Sequence, residues 1–250
     1  MKPTGIITQA SDHETEQRDA MLACLQGAPI PADQLLQNIG LFIESKHLAR
    51  ILLMDHLFRQ IVDVHGSIME FGTRWGQNMA LFSALRGIYD PFNRHRKLIA
   101  FDTFTGFPSV HTKDGGHEMM VEGALSTTEN YDQFLDRVLS VHEQLNPLNH
   151  IKKFELRKGD ASVEVERYLK DRPETIVALA FFDFDIYEPT KKVMDLIAPR
   201  LTKGSVVAFD ELNDPDAPGE TLAVMEAVGL PNVRLKKYRY ASRVSYFVVE

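Results

Sequence analysis

The chain has 250 residues, 44% hydrophobic and 25% charged, a balance that suits a folded soluble protein and is too apolar for a disordered one. With 28 Lys and Arg against 35 Asp and Glu, its formal charge of −7 lacks the global positive field that nucleic-acid binding draws on. One cysteine, Cys24, excludes an intrachain disulfide framework and a cysteine-cluster metal site. No apolar run reaches the roughly 20 residues of a membrane span, and the polar start lacks a signal-peptide pattern, so a cytoplasmic location without a membrane partner is expected.

Residues 1–30 are polar and end in a Gly-Ala-Pro-Ile-Pro break, which reads as a tail or one short helix. Over 31–65 the apolar residues Leu35, Leu36, Ile39, Ile43, Leu48, Ile51, Leu52, Leu57, Phe58 and Ile61 recur at three- and four-residue steps. That spacing predicts two helices around Gly40, or one bent helix. This segment carries more apolar surface than a linker needs, and a homo-oligomer is expected.

From residue 66 to 250 the pattern changes. Strand patterns at 67–71, 98–101, 154–157, 176–182, 205–209, 233–238 and 245–249 alternate with helical patterns at 77–85, 131–145, 161–170, 189–201 and 219–228. Such alternation predicts an α/β domain with a mainly parallel sheet covered on both faces. The last two strands are separated too narrowly for a crossover and are expected to form an antiparallel hairpin. The irregular stretch 108–126 is long enough to be a lid or binding loop.

Chemistry-bearing residues collect where strands end. Glu70-Phe-Gly72-Thr-Arg-Trp-Gly76 joins a strand to a helix, and its glycines allow a ligand to approach the backbone. A carboxylate at Glu70 suits a cationic group better than a pyrophosphate. Asp102 ends the next strand, where an acid commonly accepts hydrogen bonds from ribose hydroxyls, and Thr103 and Phe104 begin a loop on that cofactor side. Gly159-Asp160 follows the third sheet strand and could border an adenine pocket or simply form a turn. In Phe181-Phe-Asp183-Phe-Asp185, period-two alternation points both acids to one side, and Asp210-Glu211 repeats the theme one strand later. Four carboxylates at adjacent strand ends repel unless a cation or proton intervenes, and an all-oxygen set favours a hard cation, Mg2+, Mn2+ or Ca2+. Histidines 111 and 117 lie in the loop where they could reach a substrate.

These segments together resemble the macrocin-type sugar O-methyltransferases of antibiotic biosynthesis, a class I S-adenosylmethionine-dependent family, from about Leu41 to the C-terminus. The family's glycine turn looks like Glu70 to Gly76, and its second-strand acid and loop look like Asp102-Thr-Phe-Thr-Gly-Phe-Pro108. Its D-x-D-L-Y-E-S-T segment looks like Asp183 to Thr190, with Ile186 and Pro189 substituted, and its paired acids stand here as Asp210-Glu211. The resemblance implies a Rossmann-like class I methyltransferase sheet of seven strands, the last antiparallel. It implies S-adenosylmethionine held by Glu70, Gly72, Gly76, Asp102, Thr103, Phe104, Asp160 and Asp183. It further implies Mg2+ on Asp183, Asp210 and Glu211, with Asp185 as general base or the roles of Asp183 and Asp185 exchanged. The acceptor would be a sugar or glycosylated metabolite, methylated at a hydroxyl. A dinucleotide-dependent oxidoreductase on the same sheet is the second reading, against which stand Glu70 and the lack of a G-x-G-x-x-G turn. A non-catalytic Rossmann-like binding or scaffold subunit is the third.

Overall fold

In the computed structural model, which describes residues 10–250, seven strands form one sheet. These are β1 (Ser67–Phe71), β2 (Leu98–Asp102), β3 (Phe154–Lys158), β4 (Val177–Phe182), β5 (Leu201–Phe209), β6 (Lys236–Tyr238) and β7 (Ala241–Val248). Their order is β3-β2-β1-β4-β5-β7-β6. The first five pair in parallel, and β7 runs antiparallel between β5 and β6. This is the Rossmann-like sheet expected, closed by the expected hairpin. The order reverses between β1 and β4, and a crevice at such a switch point is where open α/β sheets take ligands.

The helices are α1 (Asp12–Gln26), α2 (Ala32–Leu35), α3 (Ser45–Gln60), α4 (Gln77–Tyr89), α5 (Tyr131–Leu145), α6 (Ala161–Asp171), α7 (Tyr187–Ile197) and α8 (Pro218–Ala227). Alternation along the strands sorts the core into two layers. Ile68, Leu98, Leu179, Phe181 and Ala208 pack with Leu57 and Phe58 of α3, Phe82 of α4 and Leu139 of α5. Their neighbours Met69, Phe71, Ile99, Phe101, Phe182 and Phe209 pack with Val165 of α6, Val193 of α7 and Val224 of α8. Among the described residues no helix is long and apolar enough to cross a membrane.

Several boundaries differ from the sequence expectation: β6 starts at Lys236 rather than 233, β7 starts at Ala241 rather than 245, and α4 runs on to Tyr89. Residues 36–42 form a 3-10 stretch that runs straight through Gly40, and the break falls at Ile43-Glu44, which are extended ahead of α3. Helix α7 starts at Tyr187 rather than Pro189, because a proline in the first turn loses an N–H that has no helical partner anyway. It ends at Ile197, and Pro199 stands in a 3-10 turn that hands the chain to β5 four residues early. In the region read as a tail or short helix, α1 is capped by Ser11 and buries no residue, while the first nine residues lie outside those described.

At the end of the sheet opposite the switch-point crevice, Glu143 on α5 gathers two buried cations. Arg86 Nη2 donates to both its oxygens at 2.8 and 2.9 Å, and Lys153 Nζ lies 2.6 Å from Oε1. Arg86 also donates to the Lys153 carbonyl at 3.0 Å, so α4, α5 and the start of β3 are tied through one carboxylate. Removing it leaves two cations buried without a counter-charge. Glu143→Ala is expected to lose about 3–5 kcal/mol of stability, read as a lowered midpoint in urea unfolding with an unchanged slope.

Candidate functional site

Four backbone bonds continue the parallel ladder one residue beyond its strands. Gly159 N donates to Asp102 O at 2.9 Å, Gly72 N to Phe101 O at 3.0 Å, Asp183 N to Phe71 O at 2.8 Å and Asp210 N to Phe182 O at 3.0 Å. With Phe71 level with Phe101 and Phe182, and Phe182 level with Phe209, the ladder puts Asp102, Gly72, Asp183 and Asp210 in one transverse row. One residue below, rings of Phe101, Phe71, Phe182 and Phe209 meet at centroid distances of 5.4, 4.7 and 5.1 Å, forming an apolar row under the acids. Gly72 is required in its place. Its φ is +88°, and a Cβ there would lie 2.0 Å from the Asp183 carbonyl oxygen.

Above this row opens a cavity of about 1050 Å3, large enough for two small ligands side by side. Asp183 and Asp210 stand on its floor with a cation between them. Arg50 of α3 donates from Nη2 to Asp183 Oδ2 at 3.2 Å and from Nη1 to Asp210 Oδ1. Its Nε reaches Asn78 Oδ1 at 3.2 Å, and Asn78 Nδ2 donates to Glu70 Oε1 at 2.8 Å. Burial, followed by the charge of Asp210, raises the Asp183 carboxyl well above the usual range, against the pull of Arg50. Glu70 is 1% exposed, and burial lifts its carboxyl to about 7 despite the Asn78 hydrogen bond.

Alternation does not set Asp185, because β4 has ended at Phe182. The chain turns instead through a left-handed Asp185 (φ +63°), a strained conformation for a residue with a side chain. That turn carries its carboxyl into the same cavity as Asp183 by a different route. Asp185 is buried, its Oδ1 has no hydrogen-bond partner, and burial with the nearby charge of Asp210 lifts it to about 7. Glu220, in the first turn of α8, lies behind it and is wholly buried. Its Oε2 accepts from Glu211 N at 3.2 Å, and burial raises its carboxyl well above the usual range. Glu211 itself turns away to Arg243 of β7, which also lies 3.7 Å from Asp214. Among the described residues no three acid, histidine or cysteine side chains close on one point as a metal centre does.

The glycine turn forms the other half of the cavity. Asp102 accepts from Arg74 N at 2.7 Å and from Phe104 N at 2.6 Å, so it fastens the turn after β1 to the loop after β2. Gly76, Thr103 and Asp160 line the cavity, Asp160 also capping α6 by accepting from Ser162 N at 2.8 Å. Glu70 lies beneath the lining, and Phe104 does not reach the cavity: its ring is buried in the core on the α4 and α5 side. Of the loop histidines, His117 lines the cavity, whereas His111 packs against Tyr187 at 5.1 Å.

The loop between β2 and α5 covers this half, packs Phe107 and Ala124 against Ile186, and is bolted at its middle by a buried acid. Asp114 is buried, and its carboxylate accepts from Tyr187 N at 2.6 Å and His111 N at 2.7 Å. A Cβ on Gly219 would fall 2.1 Å from Asp114 Oδ1, so the starts of α7 and α8 and this loop meet where a side chain cannot fit. Beyond the bolt, Met119, Met120 and Leu125 line the cavity. Arg50, Asn78, Asp114, Glu220 and Arg243 carry no motif, and sequence reading passed over them. A polar residue in an amphipathic helix is most often solvated; Glu220 sat beside the noted Pro218-Gly219 helix start and Asp114 within the noted loop 108–126.

In comparison with solved structures, the chain matches CalS11, a calicheamicin methyltransferase, at 40% identity and a TM-score of 0.94, over 96% of this chain and 94% of that one. A second, apo structure of CalS11, described as a TDP-rhamnose 3'-O-methyltransferase of calicheamicin biosynthesis, matches at 38% identity and a TM-score of 0.86, over 97% and 96% of the two chains. The O-methyltransferase NovP shares the fold at 16% identity, with a TM-score of 0.57 over 80% and 79%. No family model and no curated protein sequence matches the chain.

Glu70 gives the site a measurable pH signature. Its folded pKa of about 7 exceeds the ordinary 4.5, so the folded state holds a proton that the unfolded chain releases. Stability from this residue is complete below about 4.5 and falls as pH rises through 7. Relative to Glu70→Gln, the protein is expected to lose about 3 kcal/mol across that window, measured by urea unfolding at pH 4.5, 6 and 8.

Proposed function

Because the chain belongs to the sugar O-methyltransferases of the class I S-adenosylmethionine type, the family of CalS11, we propose that it transfers the methyl group of S-adenosylmethionine to a sugar hydroxyl. The near-complete match to CalS11, with the acids gathered at the switch point, carries this reading. The acceptor is a small polyhydroxylated molecule, and TDP-rhamnose, on which CalS11 acts, is the first to try. Residues 66–250 form the methyltransferase domain, and 31–65 form a helical segment that walls the cavity through Lys46, His47 and Arg50, preceded by helix α1. The exposed Leu36 and Leu41 on that segment support a homo-oligomer. The protein works in the cytoplasm without nucleic acid or membrane.

The residues fit the cofactor by charge and by shape. Gly72 leaves a cradle that a Cβ would fill, and Glu70 keeps an unpartnered buried oxygen beneath it. When bound, S-adenosylmethionine supplies an electrophilic methyl group on a positively charged sulfur. Glu70 then compensates that charge from below, Asp102 accepts from the ribose hydroxyls with its remaining lone pairs, and Thr103 and Asp160 border the adenosine. The buried Phe104 supports the loop from behind.

Donor chemistry also fits a hard divalent cation. Asp183 and Asp210 already close on one positive group, whereas Glu211, on the same strand end, is held by Arg243 and would have to leave it to join them. These three would hold Mg2+, which supplies Lewis acidity that lowers the pKa of a hydroxyl. Asp185 takes the proton of the acceptor hydroxyl, and its strained, buried carboxylate has a free oxygen for that role. Glu220 holds the backbone of Glu211 in place. Met119, Met120 and Leu125 exclude water from the acceptor side.

Incubation with S-adenosylmethionine and a sugar-nucleotide panel led by TDP-rhamnose is expected to yield a product heavier by one methylene, by mass spectrometry. Asp185→Asn is expected to lower kcat by about 100-fold or more while S-adenosylhomocysteine still binds. No methyl transfer to any hydroxylated acceptor, or full activity in that variant, would count against the assignment.

A further inference from the structure

Arg50 lies outside every motif of the site, yet its side chain joins more of the site's parts than any acid does. It leaves the first half of α3, passes 5.2 Å over the ring of Phe181 and spreads its guanidinium over Asp183, Asp210 and Asn78. Through Asn78 the contact extends to Glu70. Strand alternation explains the meeting: Phe181 and Ala208 face the α3 layer, so the residues two further on, Asp183 and Asp210, emerge toward α3 as well. The arginine side chain is one quarter exposed, and its partners are less exposed than an ordinary surface pair.

Two neighbouring carboxylates above an apolar row repel one another, and a planar guanidinium suits such a pair because its fork engages both at once. The oxygens that it occupies, Asp183 Oδ2 and Asp210 Oδ1, belong to the acids assigned above to a divalent ion. A guanidinium bonded to these oxygens takes up lone pairs that a metal ion approaching from the same side needs, and two cations crowded into one half-buried position repel.

We propose that Arg50 is a tethered counter-ion that competes with the divalent cation for Asp183 and Asp210. It keeps the acid pair closed and neutralised while no metal is present, and it withdraws when one loads. This rests on the metal assignment made under the proposed function and adds to it a penalty that the protein itself imposes on metal binding. Helix α3 thereby links cofactor-side Glu70 and Asn78 to the state of the acid pair.

The test is calorimetric titration of Mn2+ into the full-length protein and its Arg50→Met and Arg50→Lys variants, with S-adenosylhomocysteine binding measured in each. Arg50→Met is expected to bind Mn2+ about tenfold more tightly than the parent. Arg50→Lys, a point charge without the fork, is expected to fall between them and serves alone if the methionine variant does not fold. In chelator the melting temperature of Arg50→Met should drop and recover with Mn2+, whereas the parent should change little. Equal or weaker Mn2+ binding in both variants overturns the competition and leaves the metal assignment standing. No Mn2+ binding by any of the three proteins overturns both, while intact S-adenosylhomocysteine binding leaves the methyltransferase reading in place.

Discussion

A parallel ladder that runs one hydrogen bond past the ends of its strands governs this site. Each of the bonds from Gly159, Gly72, Asp183 and Asp210 to the neighbouring strand fixes the height of the residue that makes it. Functional side chains on separate loops could drift by an ångström or more, whereas here the sheet itself holds three acids and a glycine level. The phenylalanine row beneath prevents that level from sinking, since each ring is packed between its neighbours. A register slip by one residue in any of these strands would exchange aromatic for acid and destroy core and site together.

Crowding of acids is the cost of that arrangement. Asp183, Asp185, Asp210, Glu211 and Glu220 lie on two successive strand ends and the helix that follows, and burial raises Asp183, Asp185 and Glu220 well above the usual carboxylate range. The chain answers with cations from distant elements: Arg50 from α3 on one side and Arg243 from β7 on the other. The formal charge of −7 therefore has a local structure, with its densest negative region held between two arginines 193 positions apart in sequence (243 less 50).

The strands, their order of appearance and the closing hairpin were legible because apolar runs, alternation and a short connection carry them. The acids were legible because a carboxylate at the end of an apolar strand is unusual. Asp185 was placed in the site by an incomplete argument, since the strand stops before alternation can reach it and a left-handed turn does the work. Phe104 was assigned by its neighbours in the motif, but a large apolar ring gains more from the core than from a polar cavity. Arg50 and Asp114 were not legible at all, since each acts by a contact across 73 or more residues, and no local pattern marks such partners. The helix boundary at Tyr187 was missed because proline was taken as a start signal, when it is also tolerated within the first turn.

The bolt at Asp114 divides the loop after β2 into parts with different steric freedom. Its carboxylate, the Tyr187 amide and the bare backbone of Gly219 form a junction that admits no added atom, so any side chain at Gly219 must break it. Residues 115–126 run from this junction to the backbone bonds between Phe107 and Gly123-Ala124, meet the cavity through His117, Met119, Met120 and Leu125, and carry none of the row that fixes the acids. Exchanges in that flap can therefore re-shape this half of the cavity while the acids stay where they are, which makes it the natural segment to graft between relatives when a differently shaped cavity is wanted.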